Sequence, residues 1–163
     1  FYTKAIVDNT NRNMIICNDA LERVQKGKSV LLAVQRKEHG TNLLNILQPI
    51  LGDKVRYVNG DDKTEYLKQT LADLRTNKIT CCIATSVFGI GITVNNLDVL
   101  INAKATKART DVVQLTGRAL GITETKKTCE IIDYYDNIKL LEKSSKARIL
   151  LYEEEEEYKI VYK

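Results

Sequence analysis

Residues 114–121, with the sequence QLTGRALG, contain the side chains whose types and spacing best suit anion binding. The pattern predicts a helix over about residues 110–120, on which Gln114 and Arg118 are four positions apart and share a face. Gly117 has no side chain to project beside Arg118, and this lets a guanidinium approach a phosphate group. Two simpler interpretations stay open: Arg118 is an ordinary solvated arginine, and Gln114 is a reciprocal capping partner at the start of its own helix.

A second candidate site follows the predicted strand over residues 80–85, where hydroxyl and glycine residues come together. Thr85 and Ser86 fall at the carboxyl end of this strand, and Gly89 and Gly91 come directly after them. Ligands of open parallel sheets bind beyond the carboxyl ends of strands, and hydroxyl and glycine N–H groups suit phosphate oxygens. The alternative is an ordinary turn after a strand. A P-loop is excluded, because the pattern GxxxxGK[ST] does not occur in the chain.

The remaining residue types that could bind a metal or act as a nucleophile show no pattern typical of a catalytic site. The only histidine, His39, has no serine or cysteine motif near it, and this favours a capping or turn role beside Gly40. No CxxC spacing occurs among the four cysteines, which are Cys17, Cys81, Cys82 and Cys129. We therefore predict no metal site and interpret the cysteines as reduced packing residues.

The composition is that of one folded domain with a mild positive charge. The chain has 163 residues, 44% of them hydrophobic, and a formal net charge of +4. This charge permits nucleic-acid binding without establishing it. The sequence shows neither an apolar run long enough to cross a membrane nor a signal peptide, which predicts a cytoplasmic protein with no membrane partner.

Apolar runs and amphipathic segments alternate along the chain, and these elements must position the two candidate sites. The patterns predict strands at 29–35, 55–58, 80–85, 97–102 and 128–132, and helices before 27 and at about 43–50, 63–77, 110–120 and 137–150. Strands that are apolar throughout are typical of a parallel sheet covered on both faces. The sequence therefore predicts a three-layer α/β fold with a mainly parallel central sheet, in which residues 1–163 form a single domain. Residues 158–162 predict a further strand at an edge of the sheet.

Five segments in order resemble the second motor lobe of superfamily 2 helicases. Residues 30–40 resemble the fourth helicase motif and the turn after it, residues 84–94 the fifth motif, and residues 114–121 the sixth, usually written QxxGRxxR. Residues 133–137 and 144–148 resemble the tail of phage and bacterial members. The resemblance covers nearly the whole chain and is to a C-terminal RecA-like lobe related to the DEAD and DEAH proteins.

The resemblance implies roles for individual residues. Contacts to a nucleic-acid backbone are implied for Arg36, His39, Gly40, Thr85 and Ser86. A position near the nucleotide is implied for Gly91 and for Thr93, which replaces an aspartate common in other branches. Gln114 and Arg118 are implied to face the ATP phosphates, with Arg118 as an arginine finger that stabilises charge on the transferring phosphoryl group.

The resemblance also implies the partners and cofactors. ATP and Mg²⁺ are expected only when the chain is joined to an N-terminal RecA-like lobe, and neither is expected on this chain alone. DNA is the expected substrate, with RNA as an alternative, in the cytoplasm of a bacterial or phage-infected cell. We therefore predict an ATP-dependent helicase or translocase whose ATP hydrolase activity is absent from the isolated chain.

One position departs from the family pattern. The sixth motif normally ends in a second arginine, and here that position is Gly121. Because such an arginine contributes strongly to the rate of phosphoryl transfer, its absence favours an alternative: a catalytically degenerate module that kept the fold and binds nucleic acid or another partner. A third interpretation, a generic flavodoxin-like binding domain, requires the motif order to be accidental.

Overall fold

The computed structural model describes residues 1–85, 97–106, 128–156 and 158–163. Its strands are β1 (Val30–Ala33), β2 (Val55–Val58), β3 (Cys81–Ala84), β4 (Val99–Asn102) and β5 (Glu130–Asp133). Its α-helices are α1 (Thr10–Gln25), α2 (Lys37–Leu51), α3 (Thr64–Arg75) and α4 (Lys139–Glu153). A π-helical turn, Thr3–Val7, precedes α1, and a 3-10 turn, Gly52–Lys54, follows α2.

All of these strands are parallel, and they form one sheet in the order β2-β3-β1-β4-β5. In the centre of the sheet, Ala33 of β1 is in register with Ala84 of β3 on one side and with Asn102 of β4 on the other. The carboxyl ends of the strands therefore lie along one edge of the sheet, which we call the carboxyl edge. This is the edge where parallel sheets bind their ligands.

Helices cover both faces of the sheet. Val30 and Leu32 point to the face covered by α1 and α2, where they pack in one cluster with Leu43. Leu31 and Ala33 point to the opposite face and pack in a second cluster with the α3 residues Leu71 and Leu74. Because successive side chains of a strand alternate between faces, a strand buried on both sides must be apolar throughout. The predicted three-layer α/β fold with a parallel sheet is confirmed.

Most predicted elements are confirmed with bounds shifted by at most three residues, and two predictions are wrong. Helix α2 begins at Lys37 instead of near Leu43, so the predicted turn at Arg36–Gly40 is the start of the helix. Residues 158–163 form no strand. The predicted helix at 110–120 lies outside the described residues.

The segment before α1 is tied down although it contains no strand. We call residues 1–8 the N-terminal strap. Ile6 and Val7 are fully buried, and the Val7 carbonyl accepts hydrogen bonds from Asn13 at 2.8 Å and Asn42 at 2.9 Å. The strap is therefore held against α1 and α2. None of the helices in the described part of the chain combines the length and apolar character that crossing a membrane requires.

Candidate functional site

Two of the predicted site residues follow neighbouring strands at the carboxyl edge. The register of β1 and β3 extends past both strands, because the Val34 N–H donates to the Ala84 carbonyl at 3.0 Å. Thr85 follows β3 directly and is half-buried, with its N–H donating to the Val58 carbonyl at 3.3 Å. Arg36 follows β1 and is exposed. A hydroxyl and a guanidinium at adjoining strand ends can both contact phosphate oxygens.

Arg36 differs from most other arginines that the structure describes. Carboxylates pair with Arg12, Arg23, Arg56 and Arg148. No carboxylate within the described ranges pairs with Arg36, and its guanidinium carbon lies 5.2 Å from the centre of the Tyr2 ring. The N–H groups of Arg36 are therefore not committed to an acid in this part of the chain.

His39 occupies a different environment from the one the sequence predicts. It lies in the first turn of α2 and is 0% exposed. Its Nε2 is 2.9 Å from Oδ1 of Asn13, whose Nδ2 donates to the Val7 carbonyl, so Nε2 donates and Nδ1 carries the lone pair. Nδ1 has no partner among the described residues. Burial, with a smaller contribution from the positive charge of Arg12, lowers the His39 pKa to about 4.

The prediction of a capping or turn role for His39 is therefore wrong. The imidazole is neutral at physiological pH and joins α2 to α1 through Asn13. In this conformation it has no surface from which to contact a nucleic acid. Arg36 and His39 are only three residues apart, and the start of the helix turns one outward and the other inward.

Gly40 also serves packing. It is buried, and a Cβ at this position would lie 2.6 Å from Cζ of Tyr57 and also collide with other atoms of that ring. The Tyr57 hydroxyl donates to the Lys37 carbonyl at 3.0 Å, so the ring closes over the first turn of α2. A glycine is needed here because β2 and α2 approach closely. The structure accounts for Gly40 without a nucleic-acid contact.

Two buried ion pairs behind the carboxyl edge were not foreseen from the sequence. Arg12 of α1 holds Asp136 with two hydrogen bonds, Nε to Oδ1 at 2.7 Å and Nη2 to Oδ2 at 3.1 Å. Arg148 of α4 holds Asp133 through Nε at 3.0 Å, and the Tyr152 hydroxyl donates to the same carboxylate at 2.6 Å. A signal was present for Arg12, which shares a helix face with Ile16 and Ala20. A charge in that position is buried only with a partner.

The same two arginines hold the segment that follows β4. Arg12 donates to the Ala103 carbonyl at 3.2 Å, and Arg148 donates to the Thr106 carbonyl at 3.0 Å. Between them, the Tyr2 hydroxyl donates to the Lys104 carbonyl. Ala105 is buried with a φ of +56°, a backbone conformation that is uncommon outside glycine. The carbonyls of residues 103, 104 and 106 are therefore each held by a side-chain hydrogen bond.

The other predicted site residues lie outside the described residues. They are Ser86, Gly91, Thr93, Gln114 and Arg118, and Gly121 lies outside as well. Their proposed roles stay predictions. In the described ranges, no group of three or more His, Cys, Asp or Glu side chains is arranged to hold a metal ion. Burial raises the pKa of the Cys17 and Cys82 thiols to about 12, which suits the inert packing role expected of them.

Comparison with known proteins defines the class to which this fold and edge belong. The chain is a member of the helicase conserved C-terminal domain family, whose model matches residues 11–123. The match includes the fourth-, fifth- and sixth-motif segments in order. The chain is therefore a C-terminal RecA-like lobe of the superfamily 2 helicase type, as the resemblance implies.

Particular relatives agree with this class. The solved structure of T4 UvsW superimposes with a TM-score of 0.72 at 27% identity and covers 88% of this chain and 32% of its own. The C-terminal domain of the DEAD-box protein Dbp5 superimposes with a TM-score of 0.65 at 16% identity and covers 91% of this chain and 81% of its own. At this identity the similarity shows the fold alone. The Saccharomyces cerevisiae protein IRC3, whose name assigns it provisionally to the ATP-dependent helicases, is 26% identical over 124 residues. These residues are 75% of this chain and only 18% of IRC3.

Proposed function

We propose that this chain is the second motor lobe of an ATP-dependent DNA helicase or translocase. One observation carries the proposal: Arg36 is exposed at the carboxyl edge, is not paired with a described acid, and follows the strand next to the one that leads to Thr85. A guanidinium and a hydroxyl here suit a phosphate backbone, whose charge is the dominant source of nucleic-acid affinity. The same role is proposed for Ser86, the next residue in the sequence. Because phosphates carry no sequence information, base sequence is expected to have little effect on binding.

The ATP-dependent part of the proposal concerns the sixth-motif segment. ATP and Mg²⁺ are held by an N-terminal lobe of the same protein, and this lobe approaches Gly91 and Thr93. Gln114 and Arg118 face the phosphates across the cleft between the lobes. Arg118 stabilises the charge that develops on the transferring phosphoryl group. Closure and opening of the cleft then move the protein along a strand. The proposed location is the cytoplasm of a bacterial or phage-infected cell.

Arg118→Ala in the full-length protein tests this role. We expect ATP turnover to fall about a thousandfold or more, because an arginine finger acts mainly in the transition state. Binding of a fluorescent ATP analogue should stay close to wild type. The matched control is Arg75→Ala. Arg75 is an exposed arginine at the end of α3, in the part of the chain that leads to the amino end of β3. Unchanged turnover by the Arg118 variant would refute the arginine-finger role.

The degenerate module is the second candidate function, and Gly121 is the observation that favours it. If it is correct, the full-length wild-type protein binds single-stranded DNA without hydrolysing ATP, with or without DNA present. Gly121→Arg should then raise ATP turnover, because it restores the second guanidinium of the sixth motif. Parallel measurements with RNA of the same sequence distinguish a DNA motor from an RNA motor.

A further inference from the structure

Arg36 needs an orienting contact if it is to bind a phosphate group efficiently, and this inference rests on that proposed contact. A long exposed side chain loses rotamer freedom when it is immobilised by a ligand, and the loss opposes binding. Arg36 has no described acid to orient it, and the Tyr2 ring lies 5.2 Å below its guanidinium carbon. The contact with Tyr2 is therefore the feature that could restrict the side chain before the nucleic acid arrives.

The Tyr2 ring is itself fixed in place. Its hydroxyl donates to the Lys104 carbonyl. Burial raises the Tyr2 pKa to about 12, so the hydroxyl stays protonated and keeps donating at neutral pH. The strap that carries Tyr2 is anchored by the buried residues Ile6 and Val7 and by two amide hydrogen bonds to the Val7 carbonyl. A ring held at both its hydroxyl and its backbone is a rigid support.

We propose that Tyr2 is a positioning residue for Arg36 in nucleic-acid binding. A guanidinium stacks on an aromatic ring with its face, and this leaves the N–H groups at its edge available for phosphate oxygens. Tyr2 therefore does not compete with the nucleic acid for Arg36. It keeps the side chain at the carboxyl edge, over the Tyr2 ring.

The test measures the Kd of the full-length protein for a single-stranded oligo-dT at several salt concentrations. Arg36→Met should weaken binding and reduce the slope of log Kd against log salt by about 0.7, the loss of one phosphate contact on a single strand. Tyr2→Leu should weaken binding about two- to fivefold, the range of an exposed cation–π contact, and leave the slope unchanged. In the Arg36→Met background, Tyr2→Leu should have no further effect.

Two controls separate positioning from a general loss of structure. Tyr2→Phe keeps the ring and should bind within about twofold of wild type. Tyr66→Leu makes the same change at another arginine–tyrosine contact, that of Arg56 with Tyr66 at 5.9 Å, and should bind like wild type. The thermal midpoints of all variants show whether each protein is folded.

The outcomes distinguish the two proposals. If Arg36→Met binds like wild type, the phosphate contact of the proposed function fails, and the role of Tyr2 fails with it. If Arg36→Met weakens binding while Tyr2→Leu does not, only the role of Tyr2 is overturned. The same conclusion follows if Tyr2→Leu weakens binding equally with and without Arg36, because the two residues then act independently.

Discussion

Arg36, His39 and Gly40 are neighbours in the sequence but meet three different environments. Arg36 is exposed above Tyr2, His39 is buried against Asn13, and Gly40 lies under the ring of Tyr57. The resemblance assigns all three to nucleic-acid contact. The structure leaves that role open to Arg36 and gives packing roles to the other two, because α2 begins at Lys37 and its first turn points positions 39 and 40 inward.

His39 is expected to make stability depend on pH. Its pKa is about 4 in the folded chain, below the ordinary value of 6.5, so the unfolded chain binds more protons between these two values. The stability that a neutral His39 permits is present above pH 6.5 and is lost as the pH falls to about 4. Using 1.36 kcal/mol for each pKa unit, the loss from this residue is up to about 3 kcal/mol.

Urea unfolding of the wild-type chain and of His39→Gln between pH 4 and 7 measures this effect. Glutamine can donate to Asn13 but does not titrate, and carboxylates contribute equally to both proteins. The difference in the free energy of unfolding should therefore shift in favour of the variant as the pH falls. Parallel curves for the two proteins would show that the buried imidazole is not destabilised by protonation.

At the scale of elements, the two buried ion pairs connect parts of the chain that are distant in sequence. Arg12 joins α1 to Asp136, which follows β5, and Arg148 joins α4 to Asp133 at the end of β5. Both arginines also hold the backbone after β4. One set of interactions thus connects α1, α4 and residues 103–106 at the carboxyl edge.

Removing one partner of the Arg12–Asp136 pair should be strongly destabilising. The side chains are 7% and 8% exposed, so Arg12→Met leaves a buried carboxylate without compensation and should reduce the free energy of unfolding by about 3–5 kcal/mol. Adding Asp136→Asn should recover part of this loss, because the uncompensated charge is removed. Chemical denaturation measures both proteins.

The control for this prediction is an exposed pair at the C-terminal end of the same helix. Lys26 and Glu22 are 64% and 55% exposed, and Lys26→Met should change stability by less than about 1 kcal/mol. A similar small effect for Arg12→Met would show that the buried pair contributes no more than a surface pair does.

At the scale of the whole molecule, the sequence of this lobe does not contain a phosphate-binding loop of the P-loop type. No GxxxxGK[ST] pattern occurs in its sequence. We expect the purified chain to show no ATP turnover, either alone or with single-stranded DNA. The full-length protein, with the N-terminal lobe, should hydrolyse ATP, and should do so faster when DNA is present.

A coupled phosphate-release assay checks this prediction, and the Arg118→Ala chain is its contaminant control. Activity equal in the two chains belongs to a contaminant. Activity of the wild-type chain that the substitution abolishes would mean that this lobe binds and hydrolyses ATP without a partner.

The sequence alone determined the layers of the fold, because the evidence for them is local. The runs at 30–34 and 81–84 are apolar at every position, and a strand needs this only when both of its faces are covered. The five strands predicted within the alternating pattern were all found. The order of the motif segments identified the family, which the match over residues 11–123 confirmed. The strand predicted at 158–162 was wrong, since β-propensity reports a preference for extended backbone and does not show whether a neighbouring strand is available.

Only the tertiary structure decided which polar residues face solvent and which are buried. Arg12 and Arg36 are the same residue type, yet one is held by Asp136, 124 positions away, and the other lies over Tyr2 at the carboxyl edge. Local sequence contains no record of such partners, because they are brought together by the packing of α1, α4 and the strap around the sheet. Burial and charge pairing depend on these long-range contacts, so the environment of each candidate residue could be assigned only after the chain was folded.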